Sequence, residues 1–335
     1  MKINTHWILL LLLLGRLNAK SAVTFSTSGG RLGDNLVAYL HAKYIAYKYD
    51  LEFLLIPHAH FNEFELYTNE LKFSEWSYSY SIHKTINPHQ PVIIDSHANI
   101  LYIIPYFPDW EYGKNGNQYM LFVDWNNPEF LKEIRRQIKP KAPLDLPKLD
   151  DSKINIAIHI RRGGGFDEPL ISRLCRQPAD MSFPLKFPPM RYYIEQLRKI
   201  CNSCKNTTLY VYIFTDDKNP ISLMNELKSH IKHDNITFKC RVRGNAHNKN
   251  LMYDMFAMTK FDILIRPDSN FSIVVDKLHD FLCVIHPYDF RWENQKLYIT
   301  KQKLRINSAH IKYLWLENLG DLKSSFAVVE EVFLN

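Results

Sequence analysis

The stretch Ile154-Asn-Ile-Ala-Ile-His-Ile160, followed directly by Arg161-Arg-Gly-Gly-Gly165, decides the fold class of this chain. A short apolar, β-branched run that ends in glycines is typical of a strand buried on both faces of a parallel sheet. Alternation along the strand sends His159 and Arg161 to one face and Arg162 to the other. An arginine at the carboxyl end of a buried strand is held rigidly enough to meet a diphosphate with two parallel hydrogen bonds. The alternative is a solvated arginine pair at the start of a loop.

Strands and helices alternate regularly on the C-terminal side of this stretch. Helices are predicted at 190–201, 220–230, 250–259 and 269–278, and strands at 209–214, 236–239, 261–265 and 281–285. This alternation indicates a parallel sheet that is covered by helices on both faces. Ligands of such sheets bind at the carboxyl ends of the strands, so the residues that follow each strand are the candidates for chemistry.

The N-terminal half shows a second, less regular alternation. Strands are predicted at 22–26, 51–56, 92–95 and 101–104 and helices at 36–47 and 128–138, whereas 58–90 is aromatic and without periodicity. Lys139–Pro147 holds three prolines in nine residues and is the best linker candidate. We therefore predict two α/β domains, at 22–145 and 152–320, with a tail or helix at 321–335.

Glycine is scarce, and six of the 11 glycines fall in two loops. One loop follows the first strand and the other follows Ile160; they contain Gly29, Gly30 and Gly33, and Gly163, Gly164 and Gly165. Glycine lets backbone N–H groups come close to a ligand, and the first loop leads directly into a helix N-terminus, which attracts anions. Two tight turns are the structural alternative, but one such loop in each domain suggests two walls of a single cleft.

Composition sets the size of the protein and excludes one class of partner. A chain of 335 residues, 46% of them hydrophobic, can bury two cores of ordinary size. The net charge of +7 is scattered along the sequence, whereas a nucleic-acid interface needs clustered basic residues. We therefore expect no nucleic-acid partner and prefer a small anionic substrate.

The five cysteines are odd in number, and Cys201-x-x-Cys204 lacks a second pair at zinc spacing, so we interpret them as core or surface thiols.

The N-terminus has the pattern of a targeting segment. Lys2 precedes the apolar run Trp7–Leu14, and the small residue Ala19 follows at a plausible cleavage site. The run is shorter than the ~20 apolar residues of a transmembrane helix. We predict that 1–21 is a signal peptide, with a short membrane anchor as the alternative. Either one places the protein in the secretory pathway or at a membrane.

Four short motifs, in order along the chain, resemble those of the fucosyltransferase superfamily (the α1,2-, α1,6- and protein O-fucosyltransferases). They are Gly30-Arg-Leu-Gly-Asp-Asn35, His159-Ile-Arg-Arg-Gly163, Phe214-Thr-Asp-Asp217, and Asp254-Met-Phe-Ala-Met258 with Asp268-Ser-Asn-Phe-Ser272. The resemblance implies an α/β, GT-B-like fold, in which two doubly wound Rossmann-type domains face each other across a cleft. The first domain would bind the acceptor and the second the nucleotide sugar. It also implies inverting transfer of fucose from GDP-fucose to a hydroxyl of a glycan or glycoprotein, without a metal or other cofactor.

The resemblance assigns roles to residues of the second domain. Arg161 would bind the β-phosphate of the donor and stabilise the departing diphosphate. His159, Arg162 and Gly163 would line the same pocket. The pair Asp216-Asp217 would contact the nucleotide or support the loop.

Further roles fall on the late motif and on the glycine loop. Ser269 and Ser272 would offer hydroxyls to the phosphates, with Phe271 near the base or the sugar. As alternatives, Ser269 is a helix N-cap and Phe271 a core aromatic. The first loop would contribute Gly30, Gly33 and Asn35 to the site.

Two places depart from the family pattern. Asp34 stands where relatives carry asparagine, so it could be the general base or could cap the helix that begins there. Gly163-Gly-Gly-Phe-Asp-Glu168 replaces a shorter segment that carries a carboxylate, and Asp167 or Glu168 could take the place of that group.

Two alternatives to a fucosyltransferase stay open. Phosphate binding does not specify fucose, so the chain could use another nucleotide sugar, or it could be an inactive sugar- or nucleotide-binding protein. Residues 58–120 are dense in Trp, Tyr and His and could stack on an acceptor sugar, or could form a packed insertion. Of the sequons at Asn206, Asn235 and Asn270, the last lies inside the predicted site and is expected to be unmodified.

Overall fold

The protein divides into two compact units, Met1–Pro143 and Leu144–Asn335. The structure, a computed structural model, describes residues 20–27, 30–86, 93–105, 123–162, 183–294 and 296–307, and the backbone of 328–334. The division falls inside the proline-rich segment 139–147. None of the described helices combines the length and the apolar character needed to cross a bilayer, and residues 1–19 lie outside the described part.

The first unit is built on a parallel sheet. Its described strands are β1 (Ala22–Phe25), β2 (Glu52–Leu55), β3 (Leu71–Lys72), β4 (Ile82–Thr85) and β5 (Ile100–Ile104), in the order β3-β2-β1-β5-β4. All the neighbouring pairs are parallel. The chain leaves β1 toward β2 on one side and returns to β5 on the other. The carboxyl ends of β1 and β5 therefore flank the point where the strand order reverses.

Helix α1 (Leu32–Tyr49) connects β1 to β2, and its predicted apolar stripe packs inward. Leu36, Leu40 and Tyr44 are buried, whereas Tyr47 is 45% exposed and lies near the end of the helix. Three shorter helices follow, α2 (Leu66–Asn69), α3 (Phe73–Trp76) and α4 (Pro128–Gln137). Helix α4 begins where predicted, because the Asn127 side chain accepts a hydrogen bond from the Phe130 N–H at 3.0 Å.

The second unit is built on a mixed sheet. Its described strands are β6 (Ile154–Ile160), β7 (Leu209–Thr215), β8 (Ile236–Cys240), β9 (Ile263–Ile265), β10 (Cys283–Glu293), β11 (Lys296–Asn307) and β12 (Val328–Leu334), in the order β12-β11-β10-β9-β6-β7-β8. Every residue of β6 is buried, as the sequence of that strand predicts. The strand lies between β7 and β9 and is parallel to both.

The helices of the second unit have nearly the predicted bounds. They are α5 (Met190–Ser203), α6 (Pro220–His230), α7 (Leu251–Met258) and α8 (Asn270–Leu278). Leu197 and Ile200 of α5 pack into one apolar cluster with Ile156 and Ile158 of β6. Four of the five cysteines are described; all four are free thiols, and Cys201, Cys204 and Cys283 are buried. The α/β class is thus confirmed in both units.

Two strand predictions in the first unit are wrong. Residues 93–95 form no strand, and Ile93 is 83% exposed, so the apolar run there is not buried. The stretch 58–90, predicted to be irregular, contains strands β3 and β4 and helices α2 and α3. Strand β4 is an edge strand whose four side chains are exposed. Its backbone pairs with β5 while its side chains face water, so no hydrophobic pattern marks it.

The end of the second sheet also differs from the prediction. Strand β10 continues past Pro287 and pairs antiparallel with β11, so the sheet is not wholly parallel. A proline usually indicates the end of a strand. Here Pro287 lies next to a β-bulge, where its missing N–H is tolerated. The predicted tail or helix at 321–335 is wrong for 328–334, which form β12 parallel to β11.

Candidate functional site

The described sheet of the second unit has one topological switch point, between β6 and β9. From β6 the chain moves to β7 and β8 on one side, and then crosses to β9 on the other. Because these strands are parallel, their carboxyl ends lie at the same edge of the sheet. Open α/β sheets bind ligands in the crevice at this position. The residues that follow Ile160 and Ile265 therefore form the candidate site.

Arg161 reaches across this switch point. Its Nη1 donates a hydrogen bond to the Ser269 hydroxyl at 2.9 Å. Its guanidinium carbon lies 5.8 Å from the centre of the Phe187 ring, within the range of a cation–π contact. The side chain is partly buried and is fixed from two directions, so it does not extend into bulk solvent as the loop alternative would require.

Ser269 precedes the first residue of α8 and is fully buried. Its carbonyl accepts the Ile273 N–H at 2.9 Å, which begins the helix, but its hydroxyl caps no backbone N–H. The alternative of a side-chain N-cap is therefore not what the structure shows. The hydroxyl instead accepts from Arg161, at the N-terminus of a helix whose dipole favours an anion.

The Ser272 hydroxyl is hydrogen-bonded within the protein. It donates to the carbonyls of Pro267 at 3.4 Å and Ser269 at 3.1 Å. It is fully buried and stabilises the turn that precedes α8. Asn270 of the third sequon is only 6% exposed, in agreement with the expectation that it is not a glycosylation site.

His159 lies on the same face of β6 as Arg161, as the alternation predicts. Its ring is 5.8 Å from the ring of Phe271. His159 and Arg161 therefore both contact the start of α8, through Phe271 and Ser269 respectively. Burial, together with the charge of Arg266, lowers the pKa of His159 to about 3, so the ring is neutral at physiological pH. Among the described residues, its buried Nδ1 has no hydrogen-bond partner.

Arg162 turns away toward the end of β7. Its backbone N–H donates to the Asp216 carboxylate at 2.7 Å, and its Nε lies 3.8 Å from Asp217. Asp217 also accepts the Asn219 N–H at 2.7 Å, just before α6. Of the two roles open to this pair of aspartates, support of the loop is the one these contacts establish.

The glycine loop of the first unit is held by its own helix. Asp34 accepts the Arg31 N–H at 3.0 Å, so the capping alternative for Asp34 is confirmed, and its role as a base stays a prediction. Asn35 is buried and donates to the carbonyls of Gly30 at 2.9 Å and Arg31 at 3.1 Å. Gly33 is buried in the first turn of α1.

Gly30 is required for close packing rather than for an unusual backbone angle. A Cβ atom at this position would lie 2.4 Å from the Asp34 Oδ2 atom. The loop and the helix N-terminus therefore fit together only when residue 30 has no side chain.

Some predicted site residues lie outside the described part of the chain. They are Gly29, Gly163, Gly164, Gly165, Asp167 and Glu168. Within the described residues, no group of three or more His, Cys, Asp or Glu side chains could hold a metal ion. Metal independence stays a prediction.

The sequence reasoning missed Phe187, Arg266 and Asp276, which surround the predicted residues. Arg266 directly follows the apolar strand β9 and is completely buried. The signal that identifies Arg161 is an arginine directly after a buried strand. Arg266 follows β9 in the same way, so this signal also points to Arg266. Phe187 and Asp276 carry no local signal, because only the tertiary fold brings them to this edge.

Comparison with known proteins finds similarity to fucosyltransferase structures. No family model and no curated protein sequence matches this chain. A GDP complex of a point mutant of Arabidopsis thaliana FUT1 has 13% identity and a TM-score of 0.49, over 86% of this chain and 75% of that one. Two crystal structures of POFUT1 with GDP have 13% and 12% identity and TM-scores of 0.39, over 78% of this chain and 95% of theirs. At these values, the donor and the activity of those proteins do not transfer to this chain.

Proposed function

We propose that this protein is a glycosyltransferase that uses a nucleotide-diphosphate sugar, with GDP-fucose as the donor and a glycan or glycoprotein hydroxyl as the acceptor. The observation that carries the proposal is the contact between Arg161 and Ser269 across the switch point of the second sheet. It fixes a guanidinium beside a helix N-terminus, at the edge of the sheet where ligands bind.

Arg161 and helix α8 together suit a diphosphate. A guanidinium presents its N–H donors in a planar fork that matches two phosphate oxygens. The N-terminus of α8 adds backbone N–H groups and the positive end of a helix dipole. Both features place positive charge where negative charge grows as the diphosphate departs, which lowers the energy of the transition state.

The proposed reaction inverts the anomeric carbon. An acceptor oxygen forms a bond to that carbon while the bond from the carbon to the β-phosphate oxygen breaks, and the electron pair leaves with GDP. The acceptor proton passes to a general base. We propose Asp34 for this role alongside its capping bond, and His159 and Phe271 as the side chains that contact the nucleoside or the sugar.

Turnover of GDP-fucose tests the proposal. Purified full-length protein is incubated with the donor and a panel of glycan acceptors, with and without a chelator, and GDP release is measured. We expect release that survives chelation and falls by at least about 100-fold in Arg161→Ala. Arg191→Ala is the matched control, because Arg191 is exposed on α5, where it pairs with Glu195 and lies 5.9 Å from the centre of the Tyr298 ring.

Two other outcomes would replace the proposal. Protection against heating by uridine nucleotides, with none from guanosine nucleotides, would indicate a different donor. Tight binding of GDP without turnover across the acceptor panel would indicate a binding protein.

A further inference from the structure

Three polar side chains lie side by side beneath the candidate site. The strand registers pair Ile158 with Ile265, and Ile265 with Ile285. The next residues along these strands are His159, Arg266 and His286, and the Arg266 N–H donates to the Ile285 carbonyl at 2.9 Å, so the ladder continues to this point. Since side chains alternate along strands, the three share one face of the sheet, and we refer to them as the polar row.

The polar row is buried, and its central residue, Arg266, carries a full positive charge. Arg266 is 0% exposed, with His159 and His286 at 9% and 6%. Removing a guanidinium from water costs several kcal/mol unless it is paired and hydrogen-bonded. An aliphatic side chain would fill this position at lower cost, so packing alone does not account for an arginine here.

Asp276 of α8 supplies the counter-charge. It accepts from Arg266 Nη2 at 3.3 Å and also from Arg305 of β11, and Lys277 Nζ lies 3.7 Å from it. These cations and His286 hold the pKa of the Asp276 carboxyl far below its usual range. One carboxylate thus faces three cations.

Arg266 is connected to the phosphate-binding candidates by two routes. Its Nη1 donates at 3.3 Å to the Pro267 carbonyl, which also accepts from Ser272, so the turn leading to Ser269 is held from both sides. Its charge also acts on His159, the neighbour in the polar row, whose ring lies 5.8 Å from that of Phe271 of α8.

We propose that Arg266 is a positioning residue of the phosphate site. It holds the Pro267–Ser269 turn against Arg161 and keeps the His159 ring uncharged, so that Nδ1 accepts a hydrogen bond from a hydroxyl of the donor. A neutral imidazole has one nitrogen that donates and one that accepts, whereas a protonated ring can only donate. The inference rests on the proposed function, because it assumes that a nucleotide diphosphate binds here.

The first test observes His159 without any ligand. Ring nitrogen and carbon shifts of the full-length protein are recorded by NMR as a function of pH, and His159 is assigned by its loss in His159→Gln. The titration runs from pH 8 to 3.5, and we expect the wild-type ring to stay mostly neutral down to about pH 4. In Arg266→Met the titration midpoint should move up by about one unit or more, because a like charge at close range has been removed. Arg266→Lys keeps the charge and should leave the ring neutral.

The second test measures GDP binding by calorimetry. Arg266→Met is expected to weaken binding by about tenfold or more, since the turn loses a charged hydrogen bond. Arg305→Met is the matched control, because Arg305 pairs with the same Asp276 but lies outside the polar row. It should lose comparable thermal stability while its GDP affinity changes less than about threefold.

The outcomes separate this inference from the proposed function. A folded Arg266→Met protein with an unmoved His159 midpoint, or with unchanged GDP affinity, would overturn the role of Arg266. If Arg266→Met does not fold, Asp276→Asn replaces it: this variant keeps the arginine but replaces its charged acceptor by a neutral amide, and unchanged GDP affinity would again overturn the inference. Wild-type protein that binds no GDP would refute the proposed function, and the NMR result would still decide whether Arg266 controls His159.

Discussion

At the start of helix α1, one carboxylate serves two local contacts. Asp34 accepts the Arg31 N–H and packs directly against Gly30. We predict that Gly30→Ala lowers the free energy of unfolding by about 1–3 kcal/mol, because the new methyl group overlaps the Asp34 carboxylate. Urea denaturation measures the loss.

Asp34→Ala provides the control for this contact. Alone it should cost about 1 kcal/mol through the lost cap. In the double variant the overlap with the carboxyl group is removed and only the contact with the Cβ atom of residue 34, at 2.8 Å, is left, so the combined loss should be smaller than the sum of the two single losses. Strictly additive losses would show that Gly30 and Asp34 do not interact.

Single residues also show what sequence can and cannot reveal about the site. Arg161 was identifiable because it follows a buried strand in the same chain segment. Its partners Ser269 and Phe187 come from other segments, 108 and 26 positions away, so their contact depends on the tertiary fold. For Asp34, the sequence predicted a cap or a base, and only the coordinates show that the cap bond is formed.

At the scale of the element, two serines near the start of helix α8 are expected to affect different properties. Ser269 should affect GDP binding, and Ser272 should affect stability. Ser269→Ala should lower GDP affinity by about fivefold, because Arg161 loses its acceptor, with little loss of stability since the hydroxyl forms no cap. Ser272→Ala should lower the free energy of unfolding by about 1 kcal/mol, because two carbonyls lose a donor. Calorimetry and urea denaturation measure the two quantities. A Ser269→Ala protein that loses stability but binds GDP normally would return Ser269 to the role of a simple cap.

Elements were predictable where burial imposes a pattern. Strand β6 and helix α6 have the predicted bounds, because both faces of the first and one face of the second are apolar. Strand β4 was missed because it is exposed at an edge, where backbone pairing leaves no periodic signal. Strand β11 does carry a signal, because its buried Gln302, Leu304 and Ile306 alternate with more exposed neighbours, but the prediction stopped at residue 285.

At the scale of the whole molecule, each unit contains a buried histidine whose pKa is lowered. Burial lowers the pKa of His41 in the first unit to about 4 and, with Arg266, that of His159 in the second to about 3. The unfolded chain binds protons at these histidines below pH 6.5 and the native chain does not, so stability falls as pH drops. We predict a loss of about 2 kcal/mol per histidine between pH 7.5 and 5.

Urea denaturation across this range measures the effect. The carboxyl group of Asp276, with its lowered pKa, stays charged here and adds no slope. His41→Gln should remove about half of the slope between pH 6.5 and 4.5. A slope unchanged by this substitution would mean that His41 titrates normally in the native protein.

The most direct test of the phosphate site is the affinity for GDP of Arg161→Lys, measured by calorimetry next to wild type and Arg191→Lys. Lysine keeps the charge but loses the planar fork that reaches both Ser269 and a diphosphate. We predict GDP binding by the wild type, a loss of about 10-fold or more in Arg161→Lys, and no change in Arg191→Lys. Equal affinity in all three proteins would contradict the assignment of Arg161 as the diphosphate-binding residue.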